Sequence, residues 1–477
     1  MRKKDGSQAP PSSDAPEARS SFGGLDVQVW KVGAVTFLGP FMAQLDSTVV
    51  NVSLSAIRES LHSTITSAQW IVSGYLLALA LTLPLNGWMV DRIGAKRLYL
   101  ICFSAFSLAS LLCGRAGTMG GLICARVVQG MAGGLLAPMA QMMMARVAGK
   151  QMARAMGYSG VPIMFAPILG PVVAGAILKY AAWPWLFYLN LPTGILSVTS
   201  AAFLLPADVG AAHKRPFDFA GFALICPGLV LFLYGLERGS SLYGALIVSA
   251  GLALIGLFMA YAIPRGSAAL VDLRLFTNSI FARSAVTQFI ANGQTFAGQF
   301  LIPFFLITGC RLSSTRTGWV LAPMGLGMML SFILVGFLTD RFGYRAVSTG
   351  GASVALLGTV PFLWMIHSGF SPALTALSLF VRGAGQGAIN IPSMSAAYAS
   401  IQKERLPMAT TALNIVQRLG GPVATTVTAI VVSLSAARLP LAAPRTFVLA
   451  FFVLSGLHLV GVGAAGRLPD RVHKTES

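Results

Sequence analysis

The chain has 477 residues, of which 55% are hydrophobic and only 10% charged, and its mean hydropathy is +0.73. That leaves too little polar surface to coat a water-soluble body of this size, so lipid must be the solvent for much of it. The formal net charge of +19 invites a nucleic-acid partner, but no basic cluster interleaves with aromatics outside the apolar runs, which speaks against nucleic acid.

Residues 1–25, rich in Ser, Pro, Ala and charge, read as low-complexity sequence, and we take 1–29 as a disordered cytoplasmic tail. No separate short apolar stretch with a small-residue cleavage site precedes the first long run, so the tail does not read as a cleavable signal peptide. Apolar runs follow near residues 30–57, 69–90, 98–116, 119–145, 155–178, 186–205, 217–236, 243–263, 285–308, 317–338, 347–366, 372–398, 407–435 and 446–466. Each is long enough for a helix crossing a hydrocarbon core of about 30 Å, and short Gly, Pro or basic stretches separate them. The expected class is therefore an all-α polytopic membrane protein with fourteen transmembrane helices. Most basic residues, among them Arg92, Lys96, Arg97, Arg146, Arg154, Arg215, Arg341, Arg345 and Arg467, fall on the side of the N-terminus. Under the positive-inside rule both termini are then cytoplasmic, and the same charges suit anionic lipid headgroups of the bilayer. The five cysteines, Cys102, Cys113, Cys124, Cys226 and Cys310, lie in or at the ends of the runs without metal-ligand spacing. The histidines are scattered, so no metal site is expected.

Two loops on the basic side carry nearly one string: Gly87-Trp-Met-Val-Asp91-Arg92-Ile-Gly94-Ala-Lys96-Arg97 and Gly336-Phe-Leu-Thr-Asp340-Arg341-Phe-Gly343-Tyr-Arg345, 249 residues apart. Each sits between a second and a third run. Residues 30–205 then form an N-terminal six-helix bundle and 280–466 a C-terminal one, with 206–279 an inserted helix pair and its linkers and 467–477 a cytoplasmic tail. A repeat on this scale marks a transporter of two related bundles. The glycines allow a tight turn, and Asp91 is placed to accept from the N-H groups of a neighbouring helix N-terminus. Such loops would latch the bundle ends in one state and release them in another.

On these strings the chain resembles the major facilitator superfamily, and within it the fourteen-helix drug:proton antiporters. The resemblance runs from about residue 30 to 466. Leu45-Asp46-Ser-Thr48-Val-Val-Asn51 looks like the first-helix signature of that group, and the Gly87 to Arg97 loop like the superfamily's loop motif. Arg126-Val-Val-Gln129-Gly130 with Gly133 and Gly134 is similar to the fourth-helix motif. Ala166-Pro167-Ile-Leu-Gly170-Pro171-Val-Val-Ala174-Gly175 resembles the antiporter motif of the fifth helix, with Ala174 where glycine is usual. Trp183-Pro-Trp185-Leu-Phe-Tyr-Leu-Asn190-Leu-Pro192 resembles the start of the sixth helix in the group. The family implies an exporter, a role for Arg126 in proton coupling, and a bacterial cytoplasmic or inner membrane. It leaves room for a periplasmic adaptor protein.

Asp46 lies near the middle of the first run, where a carboxylate costs about 2.5 to 3.5 kcal/mol on insertion scales unless paired, hydrated or protonated. Taking up and releasing a proton is a chemistry open to such a group. A packing role, through hydrogen bonds by way of Thr48 or Asn51, is the alternative reading. Arg126 has no acidic residue in its own run, so its partner comes from elsewhere in the bundle or from backbone carbonyls, or else it snorkels to the interface. Arg382 is its repeat-related copy. The repeat offset carries Asp46 to Gln294 and Thr295, so the second half has no matching carboxylate. Glu237 beside Arg238 reads as an interfacial ion pair. The Pro and Gly residues of the fifth run, including Pro167, Gly170, Pro171 and Gly175, favour close packing and a bend where bundles separate. Gln44, Gln129, Gln294, Asn390, Asn414 and Arg418 are candidate cavity residues. No phosphate-binding GxxxxGK[ST] loop is present, no cofactor is implied, and no His, Asp or Cys cluster suggests an enzyme. The expected function is proton-coupled export of small lipophilic or cationic compounds by alternating access, with a dedicated exporter of one metabolite (an antibiotic, siderophore or amino acid) as the alternative.

Overall fold

The computed structural model describes residues 21–22, 25–208, 215–239 and 241–472. Most of the expected 1–29 tail and the end of the 467–477 tail lie outside them. Within the first, Ser21–Phe22 pairs antiparallel with Leu25–Asp26. Asp26 then accepts from the Gln28 N-H, which starts a helix at Val27, three residues before the expected point.

In the order of the chain the helices are α1 Val27–Thr36, α2 Leu38–Ser60, α3 Ile65–Thr82, α4 Asn86–Ile93, α5 Ala95–Gly114, α6 Met119–Ala148, α7 Met152–Tyr180, α8 Pro184–Tyr188 and α9 Asn190–Leu204. They continue as α10 Phe219–Glu237, α11 Leu242–Arg265, α12 Ser279–Phe304, α13 Ser314–Leu357, α14 Val360–Ser368, α15 Pro372–Ala399, α16 Leu406–Ala436 and α17 Val448–Ala465. Hydroxyl caps start α3, α6, α11, α13 and α15: Thr64, Thr118, Ser241, Ser313 and Ser371 each accept from an N-H of the first turn. Those N-H groups have no intrahelical acceptor, and a side-chain oxygen stands in for water there.

Eleven helices among the described residues are long and apolar enough to cross a membrane. The chain is thus a multi-pass, all-α membrane protein. Two further helices, α2 and α15, have spanning length and are more polar. The runs expected near 317–338 and 347–366 are two helices that meet at a non-helical kink at Gly343 within α13, the second continuing into α14. There φ is 85°, a conformation that glycine adopts without a Cβ clash, and the Tyr344 N-H that follows donates to the Asp470 carbonyl instead of to the preceding turn. Helix α7 runs unbroken through Pro162, Pro167 and Pro171.

Helices α2, α3, α5, α6, α7 and α9 pack among themselves, as do α12, α13, α15, α16 and α17, while α10 packs on α11 and touches α3 and α16. Small residues set the spacing. A Cβ on Gly130 of α6 would lie 2.4 Å from the Tyr75 carbonyl oxygen of α3, and one on Gly420 of α16 2.0 Å from that of Phe289 in α12. Gly170 brings α7 onto Thr48 of α2, and Gly157 and Gly160 bring its other end onto Phe332 of α13, so α7 touches both groups. Gly130→Val forces α3 and α6 apart and should cost about 1 to 3 kcal/mol; the melting temperature of the detergent-solubilised protein should fall, and an unchanged melt would contradict this packing.

Candidate functional site

Helix α2 carries Asp46 inward and α6 carries Arg126 and Gln129 one turn apart on a facing side. The Asp46 Oδ2 to Arg126 Nη1 distance is 2.6 Å, with side-chain exposures of 0% and 1%. Asp46 Oδ1 accepts from Gln129 Nε2 at 3.0 Å and from Asn190 Nδ2 of α9 at 2.7 Å. Ser110 of α5 accepts from the same two amides at 2.7 and 3.2 Å. Arg126 also donates to Gln129 Oε1 at 2.7 Å and to the Ile71 carbonyl of α3 at 3.2 Å. The Tyr75 ring lies 4.2 Å from the guanidinium carbon, a cation–π contact. Five helices thus close on one carboxylate, whose negative charge is met by one cation and two neutral donors. Among the described residues it is the one buried carboxylate inside a helix of spanning length. Hydrogen bonds to charged groups contribute about 1.5 to 3 kcal/mol each, and removing one member of a buried pair costs about 3 to 5 kcal/mol because the other charge is left alone.

The second group repeats this arrangement without the acid. Arg382 of α15 is fully buried and donates to Thr359 Oγ1 at 2.6 Å and to the Gln294 carbonyl at 2.8 Å, and lies 3.0 Å from His458 Nε2 of α17. The backbone of Gln294, where the repeat offset puts the counterpart of Asp46, takes the place of the carboxylate.

The two loop strings are used differently. Asp91 pairs with Arg215, which also donates to the Ser267 carbonyl. The N-terminus of α5 is capped by Asp208, which accepts from the N-H groups of Lys96 and Arg97 at 3.0 and 3.3 Å. The turn at Gly94, with φ 94°, precedes those groups, which meet the segment after α9. The Lys96 ammonium binds the Ala202 and Leu205 carbonyls, and Arg92 lies over the Trp88 ring. In the second string Asp340 pairs with Arg154 at the start of α7, so this loop ties the two groups of helices together. Gly343 sits against Asp470, whose carboxylate pairs with Arg345, while Arg341 lies over Phe342.

Beside the Asp340 pair, Asn86 donates to Thr411 at 3.2 Å, and Gln141 accepts from Tyr398 and Asn414 at 2.8 Å each. Every described hydrogen bond between the α2–α9 and α12–α17 groups lies at this end. Several cavity candidates are therefore closed in: Gln129 serves Asp46, Asn414 serves the tie to Gln141, and Gln294 is fully buried with its amide on the Leu457 carbonyl. They face helix neighbours because the packing that brings helices close fills the space beside them. Asn390 is partly buried on the Gln386 carbonyl, whereas Gln44 is exposed and Arg418 half-buried. Gly175 is exposed with open space around it, and Pro171 is exposed. The Glu237–Arg238 pair is not formed: Arg238 turns to Tyr234, and Glu237 accepts from Ser73. Reading single residues missed Ser110 and Tyr75. Asn190 stood within a recognised string without a role; a lone amide in an apolar stretch was its signal.

A family model described as Major Facilitator Superfamily matches residues 36–425. The chain is 34% identical over 410 residues to the multidrug resistance protein B homolog of Mycobacterium tuberculosis, which covers 84% of this chain and 76% of that protein. Its fold is similar to the crystal structure of a double Trp mutant of XylE, with TM-score 0.68, 12% identity and coverage of 94% and 97%. It is also similar to the human organic anion transporter MFSD10, with TM-score 0.63, 16% identity and coverage of 92% and 99%. At such identities the two structures speak for the fold alone.

A double-mutant cycle tests the buried pair. Asp46→Asn leaves a lone buried guanidinium and should destabilise the detergent-solubilised protein by about 3 to 5 kcal/mol, while adding Arg126→Gln should recover part of that loss. Additive losses would mean that the two side chains are not coupled.

Proposed function

The chain belongs to the major facilitator superfamily, and on that premise we propose that it exports small lipophilic compounds in exchange for protons, by alternating access. The observation that carries this reading is the Asp46 carboxylate held by Arg126, Gln129 and Asn190 deep in the α2–α9 group. A proton arriving at Asp46 forms an O-H bond and removes the negative charge that Arg126 faces. The guanidinium keeps Gln129 and the Ile71 carbonyl and loses its strongest partner. The packing of α2 against α6 then has two settings, one for each protonation state of Asp46. A substrate that binds only one setting exchanges with the proton.

Movement between access states follows from the ties at the loop-string end. Arg154–Asp340, Asn86–Thr411 and the Gln141 bonds hold this conformer closed there. We read that end as cytoplasmic because the basic loops gather on it, so the conformer faces outward. In this reading the arrangement is six, two and six helices: residues 30–205, the α10–α11 pair within 206–279, and 280–466. The membrane is the inner or cytoplasmic membrane of a bacterium. An inward proton supplies about 2.3 kcal/mol per 100 mV, enough for roughly fiftyfold accumulation. The relative's name, a multidrug resistance protein, supports a substrate range broader than one metabolite.

Resistance of cells expressing the chain to a panel of lipophilic compounds, together with proton flux in proteoliposomes, tests this. Wild type should confer resistance, and Asp46→Asn should reduce proton-driven efflux at least about tenfold while counterflow exchange of the same compound continues. Proton-driven efflux at the wild-type rate in the Asn variant would remove Asp46 from coupling.

A further inference from the structure

Among the described residues four charged side chains lie deep in helices of spanning length: one carboxylate, Asp46, and three arginines, at 126, 382 and 418. Asp46 and Arg126 neutralise each other. Arg382 is sealed among Thr359, Gln294 and His458. Arg418 is different. It is half-buried, and no described hydrogen bond or ion pair holds it.

Its position explains why. Thr411, Asn414 and Arg418 follow one another at helical spacing on one face of α16. The first two are tied to Asn86 and Gln141 of the α2–α9 group. Arg418 is one turn further on, past the last described hydrogen bond between the groups. Among the described residues no carboxylate pairs with it. Asp46 is fully engaged, and Glu237 sits at the end of α10 on Ser73, next to Arg238. A cation at this depth without a counter-charge is costly. One turn beyond Arg418, a Cβ on Gly421 would lie 3.0 Å from Asn292 Oδ1 and from the Phe296 ring of α12, and Phe296 is 48% exposed. Arg418 is therefore one turn from the place where α16 meets an amide and an exposed aromatic side chain of α12.

We propose that Arg418 is the recognition cation for a small amphiphilic organic acid, whose anionic group binds the guanidinium with help from the Asn292 amide while its apolar body lies on Phe296. The inference rests on the export reading and replaces the expected lipophilic cation with an anion. An anion leaving as a proton enters moves charge inward on both legs, so an inside-negative potential drives both.

The test uses the full chain in proteoliposomes and three probes with one apolar body: 1-naphthylacetate, its neutral amide, and 1-naphthylethylamine. Wild type should bind the acid about tenfold more tightly than the amide or the amine. Arg418→Gln should lose that preference and Arg418→Lys should keep most of it, with amide binding the same in all three proteins as the sign of an intact site. Should Arg418→Gln fail to fold, the charge preference of the wild type decides alone. A wild type that prefers the amine, makes no distinction or binds none of the three overturns the inference, as does an acid preference that survives Arg418→Gln. In those cases proton-coupled movement of the amine, or of the compounds in the resistance panel, leaves the export reading standing; its absence removes that reading as well.

Discussion

A carboxylate and a guanidinium buried together at the meeting point of five helices are the constraint on which the first half of this protein is arranged. Neither charge is tolerable alone in that setting, so α2 and α6 must face each other with Asp46 and Arg126 in register. The remaining donors are placed accordingly: Gln129 a turn from Arg126, Asn190 at the first position of α9, and Ser110 receiving the spare hydrogens of both amides. Glycines at 130, 133 and 134 let α6 come close enough to its neighbours to bring these groups together. On the proposed mechanism, the interaction that holds five helices is also the one that a proton at Asp46 loosens, and a stability constraint doubles as a coupling device.

The second half shows what the same scaffold does without that acid. Arg382 keeps the place of Arg126, but a backbone carbonyl, a threonine and a neutral imidazole acceptor surround it. Among the described residues no carboxylate pairs with Arg382. The loop strings diverge in a comparable manner. The second binds the opposite group through Arg154, while the first grips the linkers of the α10–α11 pair through Arg215, so the inserted helices are fastened to the first half.

Much of this architecture was legible in the residues. Long apolar runs place the helices because lipid admits little else, and Asp46 and Arg126 each stood out as a charge at improbable depth. Their pairing did not, since 80 residues separate them and either has other conceivable partners. Ser110 was illegible for a different reason: a hydroxyl in an apolar helix usually bonds its own backbone, as Ser53 does with Val49, and only the fold reveals an exception. At Gly343, a glycine at positive φ lets two helices meet at a sharp kink with almost no loop between them. The division of labour between the loop strings was hidden by their similarity, because Asp91 and Asp340 differ in what the fold places opposite them. Arg418 could be noticed as a buried cation, but its lack of a counter-charge is a property of the assembled helices.

The central claim is that Asp46 takes up a proton and thereby releases Arg126. Infrared difference spectroscopy of the purified protein on acidification addresses it most directly. The account predicts a protonated-carboxyl band that grows together with a shift of the guanidinium bands, both lost in Asp46→Asn. A carboxyl band that persists in the Asn variant, or one that grows with no guanidinium response, would contradict it.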